Sequence, residues 1–259
     1  MSTIQSLTIN FTYPSEMRPN QSFGSLMQGI LMETIDTTYA TRIHEQGLRP
    51  YSQHITWDTA THTLHWHIHA LSEEACQYIL QPLMNLPEEV QLRHKHTVLT
   101  IRSMHLEAPF TYEQLLDSIL DTDTCPDVFQ LRCITSTAFK SAGHYIILPD
   151  AFLIIQNLLR RWNSFADENS YIDTELFSAG ALSDMLELIA YDIQSAPFHV
   201  ERVTIPAFRG SLTYRIHGDR IHQQVLHLLN LYAVYAGVGI KTAIGMGAVK
   251  LPQPTRGNR

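Results

Sequence analysis

Gly237-Val238-Gly239-Ile240-Lys241-Thr242-Ala243-Ile244-Gly245-Met246-Gly247 sets two Gly-x-Gly pairs around one lysine near the end of a 259-residue chain. Glycines crowded in this way add chain entropy and cannot pack a core, so the backbone there needs freedom from Cβ atoms. Close approach to a phosphate is one such need. Successive N–H groups of a glycine-rich turn point at one anion, and Lys241 and Thr242 add a charge and a hydroxyl. The plainer reading is a turn with two bulges. Two familiar phosphate loops do not fit. A P-loop requires Gly directly before the Lys and a helix after it, whereas Ile240 precedes Lys241 and Ala243 to Leu251 reads as a strand. A dinucleotide fingerprint opens a first βαβ unit and has Gly where Thr242 stands, whereas this loop follows a helix over Arg220 to Ala236.

Working outward, that helix places Ile221, Val225, Leu228, Leu229 and Tyr232 on one face, and the segment after the loop closes the unit. Val128 to Thr135 reads as its first strand, Ala151 to Trp162 as a helix, and Thr174 to Leu188 as a further helical stretch. Phe198 to Val203 and Ser211 to Ile216 read as a hairpin around Pro206 and Gly210.

The first half has the same order. Ser6 to Tyr13 alternates as a strand, and Phe23 to Ile43 follows helical spacing until Gly47 and Pro50 stop it. Tyr51 to Trp57 and Thr63 to Ala70 form a hairpin, Ser72 caps a second helix, and Val98 to Leu106 is a strand. β-α-β-β-α-β twice over is an α+β architecture of two tandem ferredoxin-like domains with a C-terminal glycine-rich loop. The expected divisions are residues 1–120 and 127–259, with the acidic Leu116 to Asp127 stretch as linker. The glycine loop is then expected to face the groove between units.

Apolar content of 44% is ordinary for a globular protein. No run approaches the ~18 apolar residues of a membrane span, and Met1-Ser-Thr-Ile-Gln has no basic leader. No membrane association and a cytoplasmic location are therefore expected. Cys76, Cys125 and Cys133 have no metal-ligand spacing and suit reduced thiols. The net charge of −7 argues against a nucleic-acid partner, but its distribution argues the other way. Glu107 to Asp127 and Asp167 to Glu187 each hold six acids and no base, whereas Tyr191 onward holds eight Lys or Arg against three acids. Such segregation presents one basic face to a polyanion.

His44 is the residue best suited to catalysis. It lies at the end of the first long helix, in Arg42-Ile-His44-Glu45-Gln-Gly47-Leu-Arg49. A helix C-terminus favours an imidazolium, and a proton donor is what RNA cleavage needs when a 2′-hydroxyl attacks phosphorus and the 5′-oxygen leaves. Arg42 or Arg49 is placed to steady phosphorane charge, and Tyr39 to orient the site. The alternative is a histidine that caps its own last carbonyls.

A second cluster, His65, His67 and His69, alternates along one strand, with His54 opposite and His62, His94 and His96 elsewhere. Same-face positions are ~7 Å apart along a strand, so one ion cannot readily take all three imidazoles. A solvent-facing polar stripe is the plainer reading, and a metal hydrolase the sharper one. Lys140, in the turn after Thr135-Ser-Thr-Ala-Phe139, and Arg160 and Arg161 on the following helix are candidate contacts to a sugar-phosphate chain.

Together these residues resemble the Cas6 family of CRISPR repeat-processing endoribonucleases, within the wider RAMP superfamily. The glycine loop Gly237-x-Gly239-x-Lys241-Thr242-x-x-Gly245-x-Gly247 is similar to the family signature in type, spacing and position. Ser136-Thr-Ala-Phe139-Lys140, the Arg161-Trp162-Asn163 helix end, Ile205-Pro-Ala-Phe-Arg209-Gly210 and the His44-Glu45 terminus stand beside it. The resemblance implies metal-independent cleavage of CRISPR repeat RNA without a cofactor, giving a 2′,3′-cyclic phosphate and a 5′-hydroxyl. His44 matches the family's general acid or base. Arg49 stands near where a supporting Lys is sought, and Gly29 occupies the region of a supporting Tyr. RNA contacts are expected from Gly237, Gly239, Lys241, Thr242, Gly245, Gly247, Lys140, Arg160, Arg161 and Arg209. Effector-complex proteins and a second copy of the chain are further expected partners. A repeat-binding subunit that does not cleave is the alternative.

Overall fold

The computed structural model describes residues 2–45, 47–92, 97–120, 125–200 and 203–251. The first half begins with β1 (Thr3–Thr12), α1 (Phe23–Thr34) and α2 (Thr37–Glu45). After the hairpin β2 (Tyr51–Asp58) and β3 (Thr63–Ala70), α3 (Glu73–Ala75) and α4 (Gln81–Leu83) run together through a π turn at Cys76–Leu80. β4 (Glu89–Leu92) and β5 (Thr97–Leu106) complete it. The sheet order is β2-β3-β1-β5-β4, and β6 (Phe110–Thr111) also pairs with β1. Its apolar face, with Leu7, Ile9, Phe11, Leu64, Trp66 and Ile68 all buried, forms the first core with α1 and the 73–83 helix.

The single helix read over Phe23 to Ile43 is two helices. Ile35 is extended (φ −83°, ψ 163°), and the Asp36 carboxylate accepts the Tyr39 N–H at 3.0 Å to start α2 afresh. Ile35 and Ile43 still reach the core, so the apolar spacing alone did not reveal the break. Ser72 caps as expected, accepting from the Ala75 N–H.

α5 (Tyr112–Leu120) leads to the second half, although its Tyr112 and Ile119 already belong to the second core. Part of the expected linker, 121–124, lies outside the described residues, as do His94, His96, Arg202, Arg256 and Arg259. β7 (Val128–Thr137) is followed by the hairpin β8 (Phe139–Ser141) and β9 (His144–Ile146), then α6 (Ala151–Phe165) and α7 (Ala179–Asp184). β10 (Leu186–Ser195), β11 (Phe198–Val200), β12 (Val203–Ile205), β13 (Phe208–Ile216), α8 (Arg220–Ala236) and β14 (Val249–Lys250) complete the chain. The sheet order β10-β13-β7-β14 repeats that of β2-β3-β1-β5, and every pair is antiparallel. The fold is α+β, two ferredoxin-like units in tandem. Among the described residues no helix is long and apolar enough to cross a membrane.

Three readings of the second half are corrected. The expected helix to Leu188 ends at Asp184, and Leu186 onward is extended. Ile189, Tyr191 and Ile193 alternate there, which favours a strand. It is this strand, and not Phe198 to Val203, that pairs with β13; β11 and β12 pair with each other instead. The last strand shrinks to Val249–Lys250, because Thr242–Ile244 forms a 3₁₀ turn and Gly245 and Gly247 both take positive φ.

Candidate nucleic-acid interface and cleavage site

Each glycine of the loop is fitted to the protein's own backbone. A Cβ on Gly239 (φ +84°) would overlap the Ala138 carbonyl oxygen, and one on Gly247 (φ +70°) the Val238 carbonyl oxygen. At Gly237 (φ +69°) it would press on the Thr242 methyl, and Gly245 (φ +103°) lies against the Cα of Gly24. The loop's amides are also engaged. Val238 N–H donates to Gly247 O, Gly239 N–H to Asn157 Oδ1, Ile240 N–H to Ala138 O and Gly247 N–H to Ser136 O, all at 2.8–3.0 Å. The expected anion cradle of glycines is thus a buried junction, and Thr242 is 3% exposed. Lys241 alone emerges, on a left-handed backbone (φ +56°).

The junction lies between the two units, where the sequence placed it. Gln53 of β2 donates to Gly24 O (2.7 Å) and Ala243 O (3.0 Å) while accepting from the Trp66 indole N–H (2.7 Å). Gln21 Oε1 accepts from the backbone N–H and the hydroxyl of Ser136. Gln53 thus ties the first half to the loop and Gln21 ties it to β7 beside the loop, and no motif marks either residue.

Cations flank the junction on the open face of the second sheet. Lys250, Arg132, Ser211 and Asp192 lie opposite one another on neighbouring strands, hence on one face, with Arg209 opposite Gln194 in the next row. An open groove of about 850 Å³ is lined by Arg132, Arg209, Ser211, Gln194 and Asp192. Arg132 was not singled out from the sequence; its exposure follows from alternation with buried Leu131 and Cys133. Lys140 is exposed on the β8–β9 hairpin, 6.0 Å from the Tyr145 ring centre.

His44 is exposed in the last turn of α2. Beside it, Arg42 pairs with Glu74 and lies 4.9 Å from the Tyr39 ring centre. Tyr39 is not presented to a substrate. It is 4% exposed, stacks on Tyr78 at 5.0 Å, and its hydroxyl is buried without a partner, so burial holds its pKa well above the ordinary phenol value. Arg49 is half-buried, which lowers its pKa. Arg161, expected at a phosphate, is instead 3% exposed. Its Nη2 donates to the Arg49 and Tyr51 carbonyls at 3.5 Å, bracing the chain that follows His44. Arg160, its neighbour on α6, remains exposed.

The histidine stripe is a layer between the halves and not a solvent-facing surface. His54 stacks on His67 (4.6 Å) and on His69 (6.0 Å), and the Tyr235 ring of α8 stands edge-on to His69. Thr8 and Thr56 hydroxyls meet the two ring nitrogens of His67, and Ser6 meets His69 Nδ1. Desolvation lowers the pKa of His67 to about 4 and of His69 to about 3, and that of His54 is also depressed. The metal reading loses its ligands to this network. Among the described residues no group of three or more His, Cys, Asp or Glu is arranged to hold an ion.

Comparison with known proteins bears on identity. Residues 131–249 match the family described as CRISPR-associated endoribonuclease Cas6. The chain is 28% identical over 245 residues to the CRISPR-associated endoribonuclease Cas6 of Streptococcus thermophilus, covering 94% of this chain and 97% of that one. It is also 28% identical over 251 residues to that of Mycobacterium tuberculosis, covering 95% and 76%. A solved Cas6 product complex shares the fold with TM-score 0.79 at 19% identity, covering 97% of this chain and all of the other. Thermus thermophilus Cas6 does so with TM-score 0.71 at 19% identity, covering 96% and 98%. Likeness of sequence to CRISPR-associated endoribonucleases of the Cas6 family thus runs across almost the whole chain, and the fold of solved Cas6 structures is shared over the same span.

Proposed function

We propose that this chain is an endoribonuclease of the Cas6 family that cuts CRISPR precursor RNA within its repeats by attack of a 2′-hydroxyl on the adjacent phosphorus. The observation that carries the reading is the exposed His44 imidazole in the C-terminal turn of α2, open to a substrate. The 2′-oxygen forms the new bond to phosphorus and loses its proton to solvent. The P–O bond to the 5′-oxygen breaks, and His44 supplies the proton that makes this oxygen a hydroxyl. The products are a 2′,3′-cyclic phosphate and a 5′-hydroxyl, and no step calls for a metal ion. Arg49, two residues beyond Gly47, is the nearest cation in the sequence not already paired with Glu74, and it steadies the negative charge on the phosphorane oxygens.

The RNA lies along the basic rows of the second sheet, with Arg209, Lys140, Lys241 and Arg160 as phosphate contacts. The loop glycines act by letting the junction close, and Arg161 by holding the segment that follows His44.

A repeat-RNA cleavage assay in excess chelator tests this, comparing wild type with His44→Ala, and normal RNA with RNA carrying a 2′-deoxy residue at the cut. Wild type is expected to cut only the normal RNA and leave a cyclic phosphate, with His44→Ala slower by about 100-fold or more at unchanged RNA affinity. Undiminished turnover in His44→Ala would sink the mechanism. Binding without cleavage by wild type would make the chain a repeat-binding subunit.

A further inference from the structure

Four residues beyond His44 the chain reaches an open cavity of about 440 Å³, lined by Leu48, by Gln156 and Arg160 of α6, and by Tyr171 and Thr174. Leu48 is within ~14 Å of His44 even if the chain between them is fully extended. Arg161, next to Arg160, holds the Arg49 and Tyr51 carbonyls, so the loop that carries Leu48 is fixed on the helix that forms the cavity wall. The same helix holds the glycine junction through Asn157. α6 therefore sets the cavity, the loop after His44 and the junction in one frame.

Several polar groups lining the cavity are spent within the protein. The Asn163 amide bonds both the N–H and the C=O of Ile172, Ser164 donates to the Arg160 carbonyl, and Ser178 caps α7. Among the described residues, the Gln156 amide, the Thr174 hydroxyl, the Arg160 guanidinium and the Tyr171 side chain remain unengaged. Tyr171 is 55% exposed, an aromatic ring that buries little in the folded chain.

Charge selects the class of ligand. No acid lines the cavity, but Asp167, Glu168, Asp173 and Glu175 flank Tyr171 in sequence. Asp167 and Asp173 accept N–H groups of Ser2 and Glu175. The acids around Tyr171 repel a phosphate and tolerate a neutral, hydrogen-bonding ring, whereas Arg160 of α6 attracts an anion.

We propose that this cavity takes the base of a nucleotide flanking the cut, stacked on Tyr171 with its edge on Gln156 and Thr174 and its phosphate on Arg160. The proposal rests on the reading of His44 as the cleavage site. It makes Tyr171 a specificity-determining contact, because a stacked base with a hydrogen-bonded edge fixes which phosphate lies at His44.

The test measures binding of repeat RNA made uncleavable by a 2′-deoxy residue at the cut, to wild type, Tyr171→Ala and Tyr171→Phe. Each is compared on intact RNA and on RNAs carrying one abasic residue at successive positions around the cut. Tyr171→Ala is expected to weaken binding of intact RNA about tenfold, and Tyr171→Phe to keep the wild-type constant. One abasic position is expected to weaken wild type by a similar factor and to abolish its difference from Tyr171→Ala. A loss in Tyr171→Ala that persists at every abasic position, or no loss at all, overturns the proposal. The readout is affinity, so continued cleavage by His44→Ala would overturn the catalytic reading without altering these constants. Failure of wild type to bind repeat RNA overturns both.

Discussion

Gly239 and Gly29 make opposite demands on the chain. Gly29 lies in the helix α1 with nothing within 4 Å of where its Cβ would stand, whereas Gly239 has positive φ and the Ala138 carbonyl in the way. Gly29→Ala is expected to stabilise the fold by about 0.5–1 kcal/mol through lower chain entropy in the unfolded state. Gly239→Ala should cost about 2 kcal/mol or more, from left-handed strain together with steric overlap. Urea unfolding separates them; equal midpoints for the two variants would show that the junction yields, and with it that the glycines serve something other than close packing. At this scale the sequence was only half informative. It marked where Cβ atoms are forbidden, but a glycine needed by a phosphate and one needed by a neighbouring carbonyl look the same until the neighbour is placed. Arg160 and Arg161 make the same point: adjacent cations of one type, one exposed and one buried against carbonyls, divided by the 100° turn between successive helix positions.

Among the elements, α2 matters most to the proposed mechanism, since it presents His44. Its separate existence depends on Asp36, whose carboxylate caps the first turn after the extended Ile35. Asp36→Ala is expected to lower stability by about 1 kcal/mol and to slow cleavage, while Asp36→Asn, an equally good cap, keeps both. Urea midpoints with single-turnover cleavage rates check this, and a normal rate in Asp36→Ala would detach His44 from the start of its helix. Helices and strands with one clear period were legible from the residues alone, as with α8, β2 and β3. β10 was not, because its apolar residues continue the spacing of the helix before it, and only its pairing with β13 decides for the strand.

For the whole molecule, the surface between the halves carries a pH dependence. His54, His67 and His69 are held neutral there, with His65 beside them, Lys250 of β14 adding a like charge, and Tyr235 of α8 covering His69, its phenol facing Glu107. In the unfolded chain these imidazoles titrate near 6.5, whereas in the fold His67 waits until about 4 and His69 until about 3. Above 6.5 both states are neutral and no penalty arises. Between 6.5 and about 4 the unfolded state binds more protons, so stability must fall as pH falls, by up to about 1.4 kcal/mol per pH unit for each histidine. Replacing His67 with Gln should flatten urea midpoints across that window; an unchanged slope would mean that the layer opens to solvent without unfolding.

The sequence by itself determined the β-α-β-β-α-β order of the first half, the tandem ferredoxin-like fold, the family likeness and the position of the glycine loop between the units, while the second strand of the second half was misplaced. Those depend on local periodicity and turn chemistry, which neighbouring residues specify. Only the tertiary structure decided that the loop amides are used internally, that Arg161 and Tyr39 are buried, and that the histidine stripe is an inner layer. It also joined Tyr171 to the loop after His44 in one cavity. Burial and the choice of hydrogen-bond partner are properties of residues far apart in the chain, and they take values only when two sheets and the helices between them have packed.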